Sequence, residues 1–129
     1  LDDKIDIIAT DHAPHTWDEK SKPYPEAPAG LPLVQHGLQI LMDFFHNDIL
    51  TLETIVEKTS HNVAKRFQIK DRGYIREGYY ADLAILDLNN PYHVSKENIL
   101  YKCGWSPFEG HKFIFSRFKE KLDKQSSLL

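Results

Sequence analysis

The sequence predicts an α/β chain, and three observations carry that expectation. A nearly continuous β-branched apolar run, residues 4–10, ends abruptly in an acid, Asp11. Apolar side chains then recur at helical three- and four-residue spacing, after a long proline-rich stretch. Beyond Gly73 the pattern changes again, to short apolar runs broken by Gly, Asn and Pro. The order is strand, long loop, helices, then a β-rich tail.

The run Ile5-Asp6-Ile7-Ile8-Ala9-Thr10 reads as a buried, parallel-type strand, because it is nearly continuous rather than alternating. Residues 11–32 hold five of the chain's seven prolines, which excludes a helix or central strand and predicts a long ordered loop. Loops of this length in small domains are usually functional. Leu31-Pro32 suits a helix entry, and Val34, Leu38, Leu41 and Phe45 mark the apolar face of a helix over 33–45 that stops at Asn47-Asp48. Thr51 is expected to cap a second helix to about residue 58, and Ser60 a third to about residue 67. Gly73 and Gly78 bracket a hairpin-like turn. A strand is expected over 81–87, ended by Asn89-Asn90-Pro91. Ser95-Lys96-Glu97-Asn98 reads as a capped turn, residues 105–110 as a rigid turn-rich loop, and residues 119–129 as a polar, frayed end.

Length and composition bound the function. At 129 residues the chain suffices for one small core but not for a large enzyme. It is 41% hydrophobic and 27% charged, which argues against disorder. Sixteen Lys+Arg against 19 Asp+Glu give a net charge of -3, which argues against nucleic acid or an anionic membrane as partner. No apolar run approaches the roughly 20 residues needed to span a bilayer. The single cysteine, Cys103, permits no internal disulfide and fits a reducing, cytoplasmic setting. The opening Leu1-Asp2-Asp3-Lys4, without methionine, leads to the expectation of a piece of a longer protein.

The densest polar constellation is Thr10-Asp11-His12-Ala13-Pro14-His15, at the carboxyl end of the apolar run, where parallel α/β folds place their chemistry. Asp11 can ligate a cation or carry a proton between water and a substrate. His12 and His15 can act as ligands, anion donors or proton carriers. The same string also suits an Asp that caps the loop turn beside two surface histidines, and spacing alone leaves both readings open. His36, His46, His61, His93 and His111 read as surface or half-buried structural histidines, and Cys103 as a buried or boundary thiol.

Together with the residues after it, this string resembles a known family. Asp11-His12-Ala13-Pro14-His15-Thr16, then Glu19-Lys20, then Ala27-Pro28-Ala29-Gly30-Leu31-Pro32-Leu33-Val34-Gln35 is similar to the end of the barrel in dihydroorotases, cyclic amidohydrolases of the pyrimidine pathway. Asn62-Val63-Ala64-Lys65-Arg66-Phe67, with the string from Gly73 through Gly78 to Ala81-Asp82-Leu83, resembles that family's passage from helix to sandwich. Ser106-Pro107-Phe108-Glu109-Gly110 is a third matching string, and the resemblance covers residues 4–112.

The resemblance implies the C-terminal part of a (β/α)₈ TIM-type metal-dependent hydrolase barrel plus part of a small β-sandwich. Residues 1–67 would be the last barrel strand, substrate loop and following helices, and residues 68–129 the sandwich part and tail. It implies interconversion of N-carbamoyl-L-aspartate and L-dihydroorotate at a centre of one or two zinc ions. Asp11 would be metal ligand and catalytic acid/base. His15 would bind the substrate carboxylate, Ala29 and Gly30 would meet the substrate ring through their backbone, and His12 would support or pack. The implied partners are a small-molecule substrate and further copies of the chain, with a pyrimidine-pathway enzyme as a further candidate. Three features depart from the pattern. The family's remaining metal ligands are absent, so this chain alone is expected to be inactive, since a catalytic zinc takes about three protein ligands. Val63 stands where relatives usually have proline. After His111 the final sandwich strand gives way to a charged tail. An allantoinase or hydantoinase, or a non-catalytic scaffold of the same superfamily, is the alternative.

Overall fold

The computed structural model describes residues 3–114 together with 116 and 117. Its elements are α1 (Trp17–Lys20), α2 (Gly37–His46), α3 (Leu52–Val56), a π-helical turn (Glu57–His61), α4 (Asn62–Arg66), β1 (Leu86–Asp87), β2 (Tyr92–His93), a 3₁₀ turn (Lys96–Asn98), β3 (Lys112–Phe113) and β4 (Ser116–Arg117). The strands form two separate antiparallel pairs, β1 with β4 and β2 with β3. Leu86 stands opposite Arg117, and Tyr92 opposite Phe113. The described residues therefore mix helices with two short antiparallel pairs and contain no parallel sheet.

The expected strand at residues 5–10 is not formed. Strand geometry is held by ladder bonds to a neighbour, and none of the described residues supplies one. Ile8 N–H instead bonds Lys58 O at 3.2 Å, Asn62 Nδ2 donates to Asp6 O at 2.9 Å, and Lys58 pairs with Asp3. Ile5, expected to be buried, is 65% exposed.

The proline-rich loop contains a helix after all, the one-turn α1. Thr16 caps it through a reciprocal box: its hydroxyl accepts from Glu19 N–H, and Glu19 Oε2 accepts from Thr16 N–H at 2.8 Å. Helix α2 starts at Gly37 rather than 33, because residues 34–36 form a turn whose donors are engaged elsewhere, and Val34 is exposed. Asn47 and the left-handed Asp48 end it as expected. Thr51 caps α3, but Ser60 caps nothing. It lies inside the π-helical turn, through which α3 runs on into α4 as one continuous rod. In the expected 81–87 strand only the last two residues join a ladder. Residues 73–78 turn without pairing as a hairpin. Ser95 and Asn98 form the expected capped turn, and residues 119–129 lie outside the described residues.

Leu41, Met42 and Ile55 form one buried cluster, onto which Ile8, Leu38, Phe45, Leu50 and Leu86 pack. A second cluster surrounds His36, which is fully buried rather than half-buried as expected. Its ring stacks on Phe113 (centroids 5.7 Å apart) and meets Tyr101 and Phe108 edge-on. Gln35 bolts the C-terminal segment to this junction. Its side chain donates to Asn98 O at 2.7 Å and accepts from Leu100 N–H at 2.8 Å, and its own N–H donates to Tyr101 Oη at 2.9 Å.

Candidate functional site

The loop over 11–32 leaves and returns at one point. His12 and Leu31 form an isolated parallel bridge, and Ala13 N–H donates to Leu31 O at 3.0 Å. The bridge brings the Asp11 end of the loop against its Ala29–Gly30 end, so four of the residues singled out in the sequence share one base. Gly30 has a positive φ of +102°, and a Cβ there would lie 2.4 Å from Ala13 Cβ. Its missing side chain is thus required by Ala13, a packing reason of its own beside any approach of a substrate. Ala29 is exposed next to it.

Asp11 sits in the left-handed region (φ +46°) with its side chain exposed, a conformation that Asp tolerates better than most residues. His12 turns Nδ1 inward to accept from Leu33 N–H (3.1 Å) and Val34 N–H (3.3 Å), and its ring lies 5.4 Å from that of Tyr101. His15 is half-buried. Its Nδ1 stands 3.8 Å from Glu19 Oε2, and its carbonyl accepts from Trp105 Nε1–H at 2.8 Å. The N–H and hydroxyl of Thr16 hold the Glu19 carboxyl below the usual carboxylate range, with a smaller contribution from His15. Lys20 Nζ spans the loop to Pro28 O at 2.6 Å.

Trp105 and Tyr101 carry no mark in the sequence as parts of the site. Trp105 also meets Trp17 edge-on, with centroids 5.6 Å apart, so the loop leans on Trp105 through both His15 and Trp17. The separation of 90 residues between His15 and Trp105 leaves no periodicity to read. The one signal is the proximity of Trp105 to the Ser106-Pro107-Phe108-Glu109-Gly110 string.

An exposed carboxylate, a half-buried histidine and a glycine-bearing loop rim are thus gathered around one loop base. The chain belongs to the amidohydrolase family, whose sequence profile matches residues 18–105. Among its relatives, the dihydroorotase of Halobacterium salinarum is 37% identical over 114 residues, covering 88% of this chain and 27% of that protein. The dihydroorotase of Methanosphaera stadtmanae is 38% identical over 113 residues (88% and 26%). That of Clostridium acetobutylicum is 41% identical over 119 residues (92% and 28%). The chain thus spans about a quarter of the length of these curated relatives.

The family implies a metal cofactor. Among the described residues, no group of three or more His, Cys, Asp or Glu side chains is placed to hold an ion. Asp11 is one free carboxylate and His12 Nδ1 is occupied by backbone donors, so these residues do not by themselves fit a complete metal centre. No helix among the described residues is long and apolar enough to cross a membrane.

Proposed function

We propose that this chain is the C-terminal part of a dihydroorotase, which interconverts N-carbamoyl-L-aspartate and L-dihydroorotate. In this reading residues 1–67 complete a (β/α)₈ barrel and residues 68–129 part of a β-sandwich, in a cytoplasmic homo-oligomer open to a pyrimidine-pathway partner. The cofactor is zinc, with Asp11 as one ligand and the others outside these 129 residues.

The observation that carries the reading is the closed loop base, where the His12–Leu31 bridge joins the Asp11 and Ala29–Gly30 ends, in a chain whose relatives named above are dihydroorotases. Asp11, exposed and without a hydrogen bond among the described residues, is free to take a proton from the attacking water and return it to the departing ring nitrogen. His15 offers a directional N–H to the substrate carboxylate. Its ring is steadied by the Trp105 bond to its carbonyl and by Glu19 nearby. Ala29 and Gly30 present backbone atoms to the ring at the rim of the loop.

Turnover of dihydroorotate, allantoin and hydantoin by the full-length protein, wild type against Asp11→Asn, tests the proposal. Dihydroorotate is expected to be preferred, and Asp11→Asn to lower its kcat by at least about 10²-fold, the scale of a general acid–base contribution. Preference for allantoin or hydantoin would replace the substrate. Activity retained in Asp11→Asn would remove Asp11 from catalysis, and no turnover of any of the three would favour a scaffold.

A further inference from the structure

Resting on that reading, we propose that His12 is a positioning residue that locks the substrate loop to the segment carrying Asp11, through a ring nitrogen acting as hydrogen-bond acceptor. The neutral imidazole has one donor and one acceptor nitrogen. Two backbone N–H groups, of Leu33 and Val34, converge on Nδ1 at 3.1 and 3.3 Å, so Nδ1 carries the lone pair and the ring proton resides on Nε2. The same residue holds the returning limb a second time through its backbone bridge to Leu31. Tyr101, from the C-terminal segment, lies against the ring at 5.4 Å and takes the next amide along, Gln35 N–H, at 2.9 Å. The three consecutive amides 33–35 are thus fixed by His12 and its ring neighbour.

Two consequences reach the site. Gly30, three residues before Leu33, is held where only a residue without Cβ fits against Ala13. Asp11 occupies a left-handed backbone conformation that persists only where its surroundings determine it, and His12 is the adjoining anchor. His12 touches no reacting atom in this scheme. It sets the relative placement of the carboxylate and the loop rim.

His12→Leu and His12→Asn in the full-length protein separate this role from packing. Leu fills space without accepting a hydrogen bond, whereas Asn offers an amide oxygen as acceptor. Turnover of dihydroorotate and amide hydrogen exchange across residues 31–36 are measured together. His12→Leu is expected to lower kcat/KM about 10- to 100-fold, as outer supporting contacts do, and to open the Leu33 and Val34 amides to exchange. His12→Asn is expected to recover most of both. Wild-type exchange rates in His12→Leu would overturn the proposal, as would intact turnover in a variant whose amides have opened. So would a His12→Asn protein that melts like wild type yet is as impaired as His12→Leu. If the wild type fails to turn over dihydroorotate, the functional reading falls, and the exchange comparison alone decides the role of His12.

Discussion

Replacing Gly30 by Ala should loosen the loop base by two separable costs. A methyl at residue 30 would lie 2.4 Å from Ala13 Cβ, where carbon atoms prefer about 3.5–4.0 Å. Ala13 has little room to yield, because its N–H is bonded to Leu31 O (3.0 Å) and its carbonyl accepts from His15 N–H (3.1 Å). Overpacking of this kind costs about 1–3 kcal/mol. The φ of +102° at Gly30 lies beyond the left-handed well of L residues and adds about 1–3 kcal/mol of backbone strain. Together the substitution should favour local opening by about 2–6 kcal/mol, roughly thirty-fold to twenty-thousand-fold in the opening equilibrium. Ala13→Gly removes the steric half alone, so the double variant should recover about 1–3 kcal/mol of the loss. Hydrogen exchange of the Ala13 amide in the full-length protein, measured for wild type, both single variants and the double, reads each corner of this cycle. A Gly30→Ala protein within about 0.5 kcal/mol of wild type, or a double variant no better than Gly30→Ala, would show that the Gly30–Ala13 contact does not hold the loop base.

The junction around residues 35 and 36 yields two further outcomes. Burial pushes the His36 imidazole below its ordinary value of 6.5, so the unfolded chain binds the extra proton first. Its contribution to stability is therefore complete above that value and is lost as pH falls from 6.5 toward the depressed one. His36→Phe, which also removes an Nε2 with no partner among the described residues, should flatten the fall in melting temperature between pH about 7.5 and about 5.5. An unchanged slope would exclude His36 as its source. Gln35→Ala strips partners from Asn98 O and Leu100 N–H and should cost about 1–3 kcal/mol, the range for part-buried polar groups left unpaired. Faster exchange at Leu100 is the check.

The parts legible in the sequence are those set by near neighbours. The Asn47-Asp48 stop, the Thr51 cap and the Ser95 turn each depend on side chains that bond backbone groups within a few residues, and the polar string from Asp11 stands out by composition. Residues 5–10 read as a strand from β-branched content, but a strand needs a ladder partner, and propensity does not supply one. Helix α2 starts later than its apolar spacing suggests because the amides of 33–35 are claimed by His12 and Tyr101, the latter 66 residues away from Gln35. His36 looks in the sequence like any scattered histidine. Its burial arises from Tyr101, Phe108 and Phe113, none of them near it in the chain. The Trp105 bond to His15 is invisible for the same reason.

The π-helical turn at Glu57–His61 has a consequence for the phase of the rod that contains it. At roughly 100° per residue, the nine steps from Ile55 to Ala64 would leave those two side chains on opposite sides of an unbroken α-helix. Both are nevertheless buried. The wider turn absorbs about one residue's worth of rotation and brings the two faces back toward one another. It works as a vernier between the first half of the rod, which serves the cluster with Leu41 and Met42, and the second, which sets Ala64 against Gly73 and offers its carbonyl to Ile69 N–H at 2.9 Å. Removing a single residue between 57 and 61 would therefore let the rod close as an unbroken α-helix with Ala64 still in phase with Gly73. Adding one there would instead swing Ala64 off Gly73 and redirect the rod's exit into the β-rich segment.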